Sequence, residues 1–125
     1  MKERDSSDDA PNLRRGDIWW IDLPPPEGSE PGDRHPFLIL QRDTFNRSTI
    51  RTVVGLVITS NTGLANLPGN VLIPRGVAGL SGESVVNVTQ VLTVDKRVHL
   101  AGYVGSLPRE MMRKVESGLR LVLDL

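Results

Sequence analysis

The stretch GSEPGDRHPFLIL, residues 28–40, decides how this chain is organised. Its first half is rich in glycine and proline, which are typical of turns, whereas residues 37–40 form a short apolar run of the kind found in buried strands. Arg34 and His35 stand between the two halves, and Pro36 biases the residue before it toward extended geometry. The stretch therefore predicts a loop that leads into a strand, with a cation and an imidazole side by side at the junction.

This pair of side chains suits an anionic ligand. Arginine binds phosphate through two parallel N–H donors, and histidine titrates near neutral pH. An ordinary solvated loop contains the same residue types, so the junction alone leaves a structural and a functional interpretation open. Other residues that the fold brings to the junction have to decide between them.

The composition is that of one ordinary globular domain. The chain has 125 residues, of which 38% are hydrophobic and 24% are charged. Cysteine is absent and only two histidines are present, which excludes disulfides and thiolate metal sites and argues against a histidine metal cluster. We therefore expect no metal and no cofactor. Because no apolar run could span a membrane and the start lacks the apolar segment of a signal peptide, we expect a cytoplasmic protein without membrane contact.

Charge is balanced overall but is unevenly distributed. The chain has 15 basic and 15 acidic residues, and residues 1–12 carry a net charge of −2, so residues 13–125 carry +2. We expect residues 1–12 to be a disordered tail and residues 13–125 to be a single domain. Twelve of the cations are arginine, but a net charge of +2 is weak evidence for nucleic acid, so any basic surface must be local.

Six short segments have the β-branched and aromatic content of strands, separated by turn residues. The longest is IRTVVGLVIT, residues 50–59, whose Gly55 indicates a bulge or a bend. Trp19 and Trp20 in the first segment must point to opposite faces, so one of them is expected in the core. The predicted strands cover residues 17–23, 37–41, 50–59, 70–73, 84–92 and 98–104.

A helix is predicted only at the C-terminal end, where Pro108 suits a first helical turn. Apolar residues recur after it at helical spacing and indicate a face that packs against the sheet. Many short strands closed by one terminal helix predict a mainly β fold, a small antiparallel barrel. The apolar stripe consists of Met111, Met112, Val115, Leu119 and Val122.

Two groups of polar residues stand out against this pattern. Residues 59–62, TSNT, directly follow the third strand. Their side chains can cap the strand end by bonding backbone groups, or they can contact phosphate and base edges. Gln90 falls on the apolar face of the fifth strand, where an amide needs a hydrogen-bond partner.

Six segments of the chain, in order, resemble those of the MazF/PemK family of toxin endoribonucleases: RGDIWWIDL, GSEPGDRHPFLILQRD, VVGLVITSNT, LPGNVLIP, SVVNVTQVLTVDK and GLRLVLDL. The likeness runs from about Arg15 to Leu125. It implies an SH3-like barrel of the kind shared with CcdB, a homodimer, and metal-independent cleavage of single-stranded RNA, with mRNA as the expected target. The implied products carry 2′,3′-cyclic phosphate and 5′-hydroxyl ends, and a cognate antitoxin binds the same face and blocks it.

The resemblance also implies site residues. The essential arginine of the family lies just before the proline that opens the second strand; His35 fills that place here, and Arg34 stands one residue earlier. The strand-end threonine of the family matches Thr59. Arg34 is expected to stabilise the charged phosphorane, Thr59 to donate to a phosphoryl oxygen, and His35 either to move protons or to pack beside Pro36. The implied RNA contacts are Ser29, Glu30, Ser60, Asn61 and Gln90.

Two other classes of function remain open at the level of the sequence. A CcdB-like gyrase poison would use the same barrel but would need a recognition surface, chiefly on the terminal helix. A non-catalytic barrel would only bind protein or RNA. Incubation with labelled RNA in the presence of a chelator separates the three classes, because only the ribonuclease cleaves it.

Overall fold

The computed structural model of the protein describes residues 12–29 and 31–125. The expected disordered tail therefore lies outside the described residues, except for its last residue, and so does Glu30. Two helices are present, α1 (Asp43–Asn46) and α2 (Arg109–Leu123), with single 3-10 turns at Thr62–Asn66 and Val77–Gly79. The strands are β1 (Asp17–Leu23), β2 (Asp33–Ile39), β3 (Thr52–Thr59), β4 (Val71–Ile73), β5 (Ser84–Asp95) and β6 (Leu100–Ser106).

The six strands form one antiparallel sheet in the order β4-β5-β3-β2-β1-β6. The sheet is a half-barrel, and its β6 edge is covered by the 3-10 turn Val77–Gly79. This approach requires glycine, since a Cβ on Gly105 would overlap the carbonyl of Ala78 and one on Gly79 would overlap the carbonyl of Val104. The mainly β fold class with a C-terminal helix, predicted from the sequence, is confirmed.

Apolar side chains pack on both faces of the sheet. The first core lies beneath α2, where Met112 and Val115 are buried against Ile18, Leu38 and Leu56. The second core fills the other face. Trp19 belongs to this second core and is buried, which confirms that one of the two adjacent tryptophans is a core residue. Among the described residues, no helix is long and apolar enough to cross a membrane.

The second strand begins earlier than the sequence predicts, at Asp33 rather than at residue 37. Pairing with β1 continues to the Leu23–Asp33 pair, so Arg34 and His35 lie inside a strand and not in a loop. Their own residue types have modest strand preference. The neighbouring strand holds them in extended geometry instead.

The irregularity that Gly55 indicated lies elsewhere. Leu56 of β3 pairs with Val91 of β5, whereas Ile58 pairs with Val86, so β5 bulges between these two pairs. Gly55 itself is regularly paired, and a Cβ there would overlap the Phe37 ring. The glycine is therefore required by close packing, and the bulge occurs where β5 bends.

The sequence did not predict α1, a four-residue helix in the connection after β2. Asp43 holds the turn in place through its carboxylate, which accepts from the Arg15 backbone N–H at 2.7 Å and from the Asn46 amide at 3.1 Å. The Lys96 ammonium is fully buried below α1 and donates to the Asn46 carbonyl at 3.1 Å. Burial lowers the pKa of Lys96, and the hydrogen bond from the Arg15 backbone is the main cause that lowers the pKa of Asp43.

Candidate functional site

An opening in the sheet begins where β2 and β3 separate. Their ladder runs through the Leu38–Leu56 pair and ends at the Phe37–Val57 pair. The Leu40 N–H donates to the Val54 carbonyl at 3.1 Å. The backbone N–H and C=O groups of the even-numbered residues of β2 therefore point toward β3. Beyond Leu38, the next even-numbered residue of β2 is Pro36, which has no N–H to donate to β3. The proline therefore ends the ladder and leaves the two strands apart beyond it.

His35 and Thr59 lie on either side of this opening. Each residue lies two positions beyond the last pair, Phe37–Val57, so the alternation of side chains along the strands puts both side chains on the face that carries the second core. Both residues are half-buried. The fold therefore brings together an imidazole and a hydroxyl that are separated by 24 positions in the sequence.

The hydroxyl of Thr59 is partly used and partly available. Its oxygen accepts a hydrogen bond from the Asn61 backbone N–H at 3.1 Å. A hydroxyl is one donor and two acceptors, and no described residue accepts the hydroxyl hydrogen of Thr59, which can therefore donate to a ligand. The bond to Asn61 fixes the position of the oxygen at the strand end, which suits a group that donates to a bound anion.

The polar residues after Thr59 serve the local backbone, as their capping interpretation predicted. The Asn61 side-chain oxygen accepts from the Gly63 N–H at 3.2 Å and caps the 3-10 turn Thr62–Asn66. Its amide hydrogens point away from this bond and can still donate. Ser60 is exposed beside it, and Ser29 is exposed in the turn between β1 and β2. The capping role leaves the expected RNA contacts of these residues possible in chemical terms.

Arg34 lies on the opposite face of the sheet from His35 and Thr59. It pairs with Asp22 of β1, and its guanidinium lies over the ring of Trp20 at 5.3 Å from the ring centroid. One guanidinium nitrogen is 3.7 Å from the Asp22 carboxylate, and both side chains are more than half exposed. The sequence analysis did not single out Trp20 and Asp22 as partners of Arg34. Their positions, three and five residues after the start of β1, become informative only when the register with β2 is known.

Gln90 is half-buried in the bulged part of β5, between the pairs that flank the irregularity. Its side chain makes no hydrogen bond to other described residues, so the amide that looked misplaced in the sequence stays available. Glu30, which the resemblance implies as an RNA contact, lies outside the described residues. Across the described parts of the chain, no group of three or more histidine and carboxylate side chains could hold a metal ion.

Taken together, the opening offers one hydroxyl donor, one imidazole, several amide and hydroxyl side chains, and an arginine nearby on the other face. These groups suit an oxyanion that is held by hydrogen bonds and positive charge. A phosphodiester is such an anion, and exposed amide side chains beside it can contact base edges.

Comparison of the sequence with known families gives one match that spans the domain. The sequence model of the family described as "PemK-like, MazF-like toxin of type II toxin-antitoxin system" matches residues 14–123. Endoribonuclease MazF6 of Mycobacterium tuberculosis is 48% identical over 113 residues, which cover 90% of this chain and 98% of that protein. Endoribonuclease EndoA of Bacillus subtilis is 36% identical over 113 residues, covering 90% and 96%.

Solved structures share the fold. The crystal structure of MazF from Deinococcus radiodurans superposes with a TM-score of 0.74 at 25% identity, covering 94% of this chain and 100% of that one. A mycobacterial endoribonuclease in complex with its cognate antitoxin superposes with a TM-score of 0.68 at 26% identity, covering 91% and 95%.

Proposed function

Because this chain belongs to the PemK-like, MazF-like family of type II toxin–antitoxin toxins, we propose that it is a toxin endoribonuclease that cleaves single-stranded RNA at specific sequences. The observation that carries the proposal is the opening between β2 and β3, bordered by His35 and Thr59. The relatives that bear the name endoribonuclease support it, since the match includes both strands. The proposed target is mRNA in the cytoplasm.

The proposed reaction needs no metal, because RNA carries its own nucleophile. The 2′-hydroxyl oxygen attacks the adjacent phosphorus and loses its proton to a base, while the bond from phosphorus to the 5′-oxygen breaks and that oxygen takes up a proton. The products are a 2′,3′-cyclic phosphate and a 5′-hydroxyl. The protein must supply proton carriers and donors that stabilise the crowded anionic phosphorane.

In this proposal, the phosphate occupies the opening in the sheet. Thr59 donates its hydroxyl hydrogen to a phosphoryl oxygen, and His35 faces the same phosphate from the other strand. Arg34 reaches the phosphate after it leaves Asp22, which is a small cost because exposed ion pairs contribute about 0–1 kcal/mol. The RNA strand beyond the phosphate contacts residues on the surrounding loops, namely Ser29, Glu30, Ser60, Asn61 and Gln90.

Two partners complete the proposal. A cognate antitoxin would bind over the opening and exclude RNA, which is supported by the related endoribonuclease that was solved with its antitoxin. The toxin itself would be a symmetric homodimer. Several apolar side chains at the end of α2 are exposed, and the sheet ends at the short edge strand β4, which a second copy can cover.

The experiment that tests the activity is incubation of the purified chain with a labelled RNA in the presence of a chelator. We expect cleavage at a small set of sequences, with 5′-hydroxyl ends that a polynucleotide kinase labels directly. Intact RNA, or cleavage that the chelator abolishes, would contradict the proposal. Sedimentation of the same preparation tests the assembly, and a monomer with full activity would contradict the dimer.

A further inference from the structure

A basic cleft lies at the opposite end of β1 from the proposed site. Its volume is about 400 Å³, and it lies between the segment that enters β1 and the first turns of α2. Three arginines and one glutamate line it, which gives the lining a net charge of +2. The cleft is lined by Arg15, Gly16, Ser106, Leu107, Arg109, Met112, Arg113 and Glu116.

Arg15 forms the fixed side of this basic cleft. Its Nε donates to the Leu40 carbonyl at 2.9 Å, and a terminal nitrogen pairs with the Glu116 carboxylate at 2.9 Å. The backbone N–H of the same residue is held by Asp43 at 2.7 Å. A guanidinium has five N–H donors, so these contacts orient the group and leave donors for a ligand.

Arg109 and Arg113 form the other side. They are four residues apart on α2, so they lie on the same helix face, where like charges repel. Both are exposed, and neither makes a salt bridge with any described residue. The one carboxylate in the lining, Glu116, pairs with Arg15, so an anion bound between Arg109 and Arg113 would stabilise these two cations.

We propose that this basic cleft binds a phosphate of the RNA backbone, at a distance from the phosphate that is cleaved. Arginine forks match phosphate oxygens in geometry as well as charge. None of the described residues that line the cleft is aromatic, so they offer no platform on which a base could stack. It therefore positions the strand without reading its sequence.

The position of the cleft defines which RNA can use it. Gly16 lies in the cleft and Ile21 pairs with His35, a separation of about 17 Å at roughly 3.3 Å per strand residue. A strand of a few nucleotides that fills the proposed site ends before it reaches the cleft. Longer RNA can occupy both. The inference thus rests on the proposed function and adds an anchoring contact to it.

The test measures equilibrium binding of 2′-deoxy-substituted strands, which cannot be cleaved, by fluorescence anisotropy. One strand has about 4 nucleotides and the other about 16, the range of single-strand site sizes. We expect the double variant Arg109→Gln/Arg113→Gln to weaken binding of the long strand severalfold and to reduce the dependence of log K on log salt by about 0.7 per lost phosphate contact. Affinity for the short strand keeps its wild-type value.

The matched control is Lys114→Gln/Arg120→Gln, which also removes two positive charges from α2 at exposed positions outside the cleft. It should bind both strands as the wild type does. Equal weakening by Lys114→Gln/Arg120→Gln would mean that only net charge matters and would overturn the inference. Unchanged binding of the long strand by the double variant would also overturn the inference. This holds even if the double variant binds the antitoxin more weakly, since the cleft would then serve the antitoxin and not RNA. Failure of the proposed function shows separately, as absent cleavage of unmodified RNA by the wild type.

Discussion

The guanidinium of Arg34 lies over the ring of Trp20, 5.3 Å from its centroid, and so stands on the opposite face of the sheet from Thr59. Cation–π contacts at exposed sites contribute about 0.5–1 kcal/mol. The contact with Asp22, at 3.7 Å between two exposed groups, is also weak. Arg34 therefore has a defined position without RNA, but the contacts that hold it there are weak. A residue that contacts the phosphate only when RNA is bound requires this combination.

Replacement of Arg34 tests whether it acts on the phosphate. We expect Arg34→Ala to lower single-turnover cleavage about 100-fold, the typical loss for one transition-state donor, with unchanged thermal melting. Asp22→Asn is the matched control, since it removes the partner that holds Arg34 at rest and should leave cleavage within a few-fold of wild type. An Arg34→Ala protein that melts normally and cleaves at the wild-type rate would show that this arginine only packs on Trp20.

Thr59→Ala should likewise lower cleavage about 100-fold, because it removes the hydroxyl that faces the opening. Thr59→Ser retains the hydroxyl and should retain most of the activity. The Asn61 N–H loses its acceptor in Thr59→Ala, so melting of both variants has to be measured beside the cleavage rate. If the alanine and serine variants cleave equally well, the hydroxyl has no role in the reaction.

The strands with strong residue preference could be predicted from the sequence almost to the residue. β1 and β3 are rich in β-branched and aromatic residues, and their predicted and observed bounds differ by two residues at most. The start of β2 could not be predicted, because Arg34 and His35 are extended only through pairing with β1. Helix α1 could not be predicted either, since Lys96, 50 positions away, supplies the contact that holds it.

Part of the candidate site could likewise be predicted from the sequence, and part could not. Proline at position 36, the polar residues beside it and Thr59 at a strand end were all readable from residue types. The face on which each side chain lies was not, because a one-residue shift in the pairing register of a strand moves every side chain to the other face. The joint role of Arg34 and Thr59 that the sequence favoured stays a prediction; in the structure the guanidinium of Arg34 lies over Trp20, on the other face of the sheet from the Thr59 side chain.

The buried Lys96 predicts an unusual pH dependence of stability. Burial lowers its pKa in the folded protein from the ordinary 10.5, so between the two values the unfolded chain binds more protons than the folded one. Stability must then rise with pH across that window. We expect denaturant unfolding at increasing alkaline pH to show this rise in the wild type and not in Lys96→Met. Lys114→Met, which replaces an exposed lysine on α2, should keep the rise in stability. A rise that persists in Lys96→Met would have to come from another titrating group.

Asp43 predicts part of the acid dependence. Hydrogen bonds lower its pKa below the ordinary 3.8 in the folded protein, so its contribution to stability is present above pH 3.8 and is lost as the pH falls through the folded value. Asp43→Asn should therefore flatten the loss of stability in acid, as measured by urea unfolding. Thr44→Val changes no ionisable group in the same helix and should retain the wild-type slope. A wild-type slope in Asp43→Asn would show that other carboxylates account for the acid loss.

The role of His35 is decided by comparing a permanent cation with a neutral amide at that position. In the proposed site it faces Thr59 across the opening, where positive charge stabilises the phosphorane. We expect His35→Arg to cleave RNA at about the wild-type rate and to stay active as the pH rises through the range in which an imidazole loses its proton. His35→Gln should be slow at every pH, because it has neither a charge nor a proton to give.

The remaining outcomes separate the other two roles of His35. Suppose that His35→Arg is inactive, and that the rate of the wild type changes with pH near neutrality whereas the rate of His35→Gln does not. The imidazole would then move a proton, and charge alone would not be enough. Wild-type rates and an unchanged pH profile in His35→Gln would mean that His35 only packs beside Pro36 and that Arg34 supplies the charge. In that case, adding Arg34→Ala to His35→Gln has to lower the cleavage rate, because β2 has no other described cation beside the opening. Cleavage that survives the double replacement would place the charge-stabilising group outside this strand.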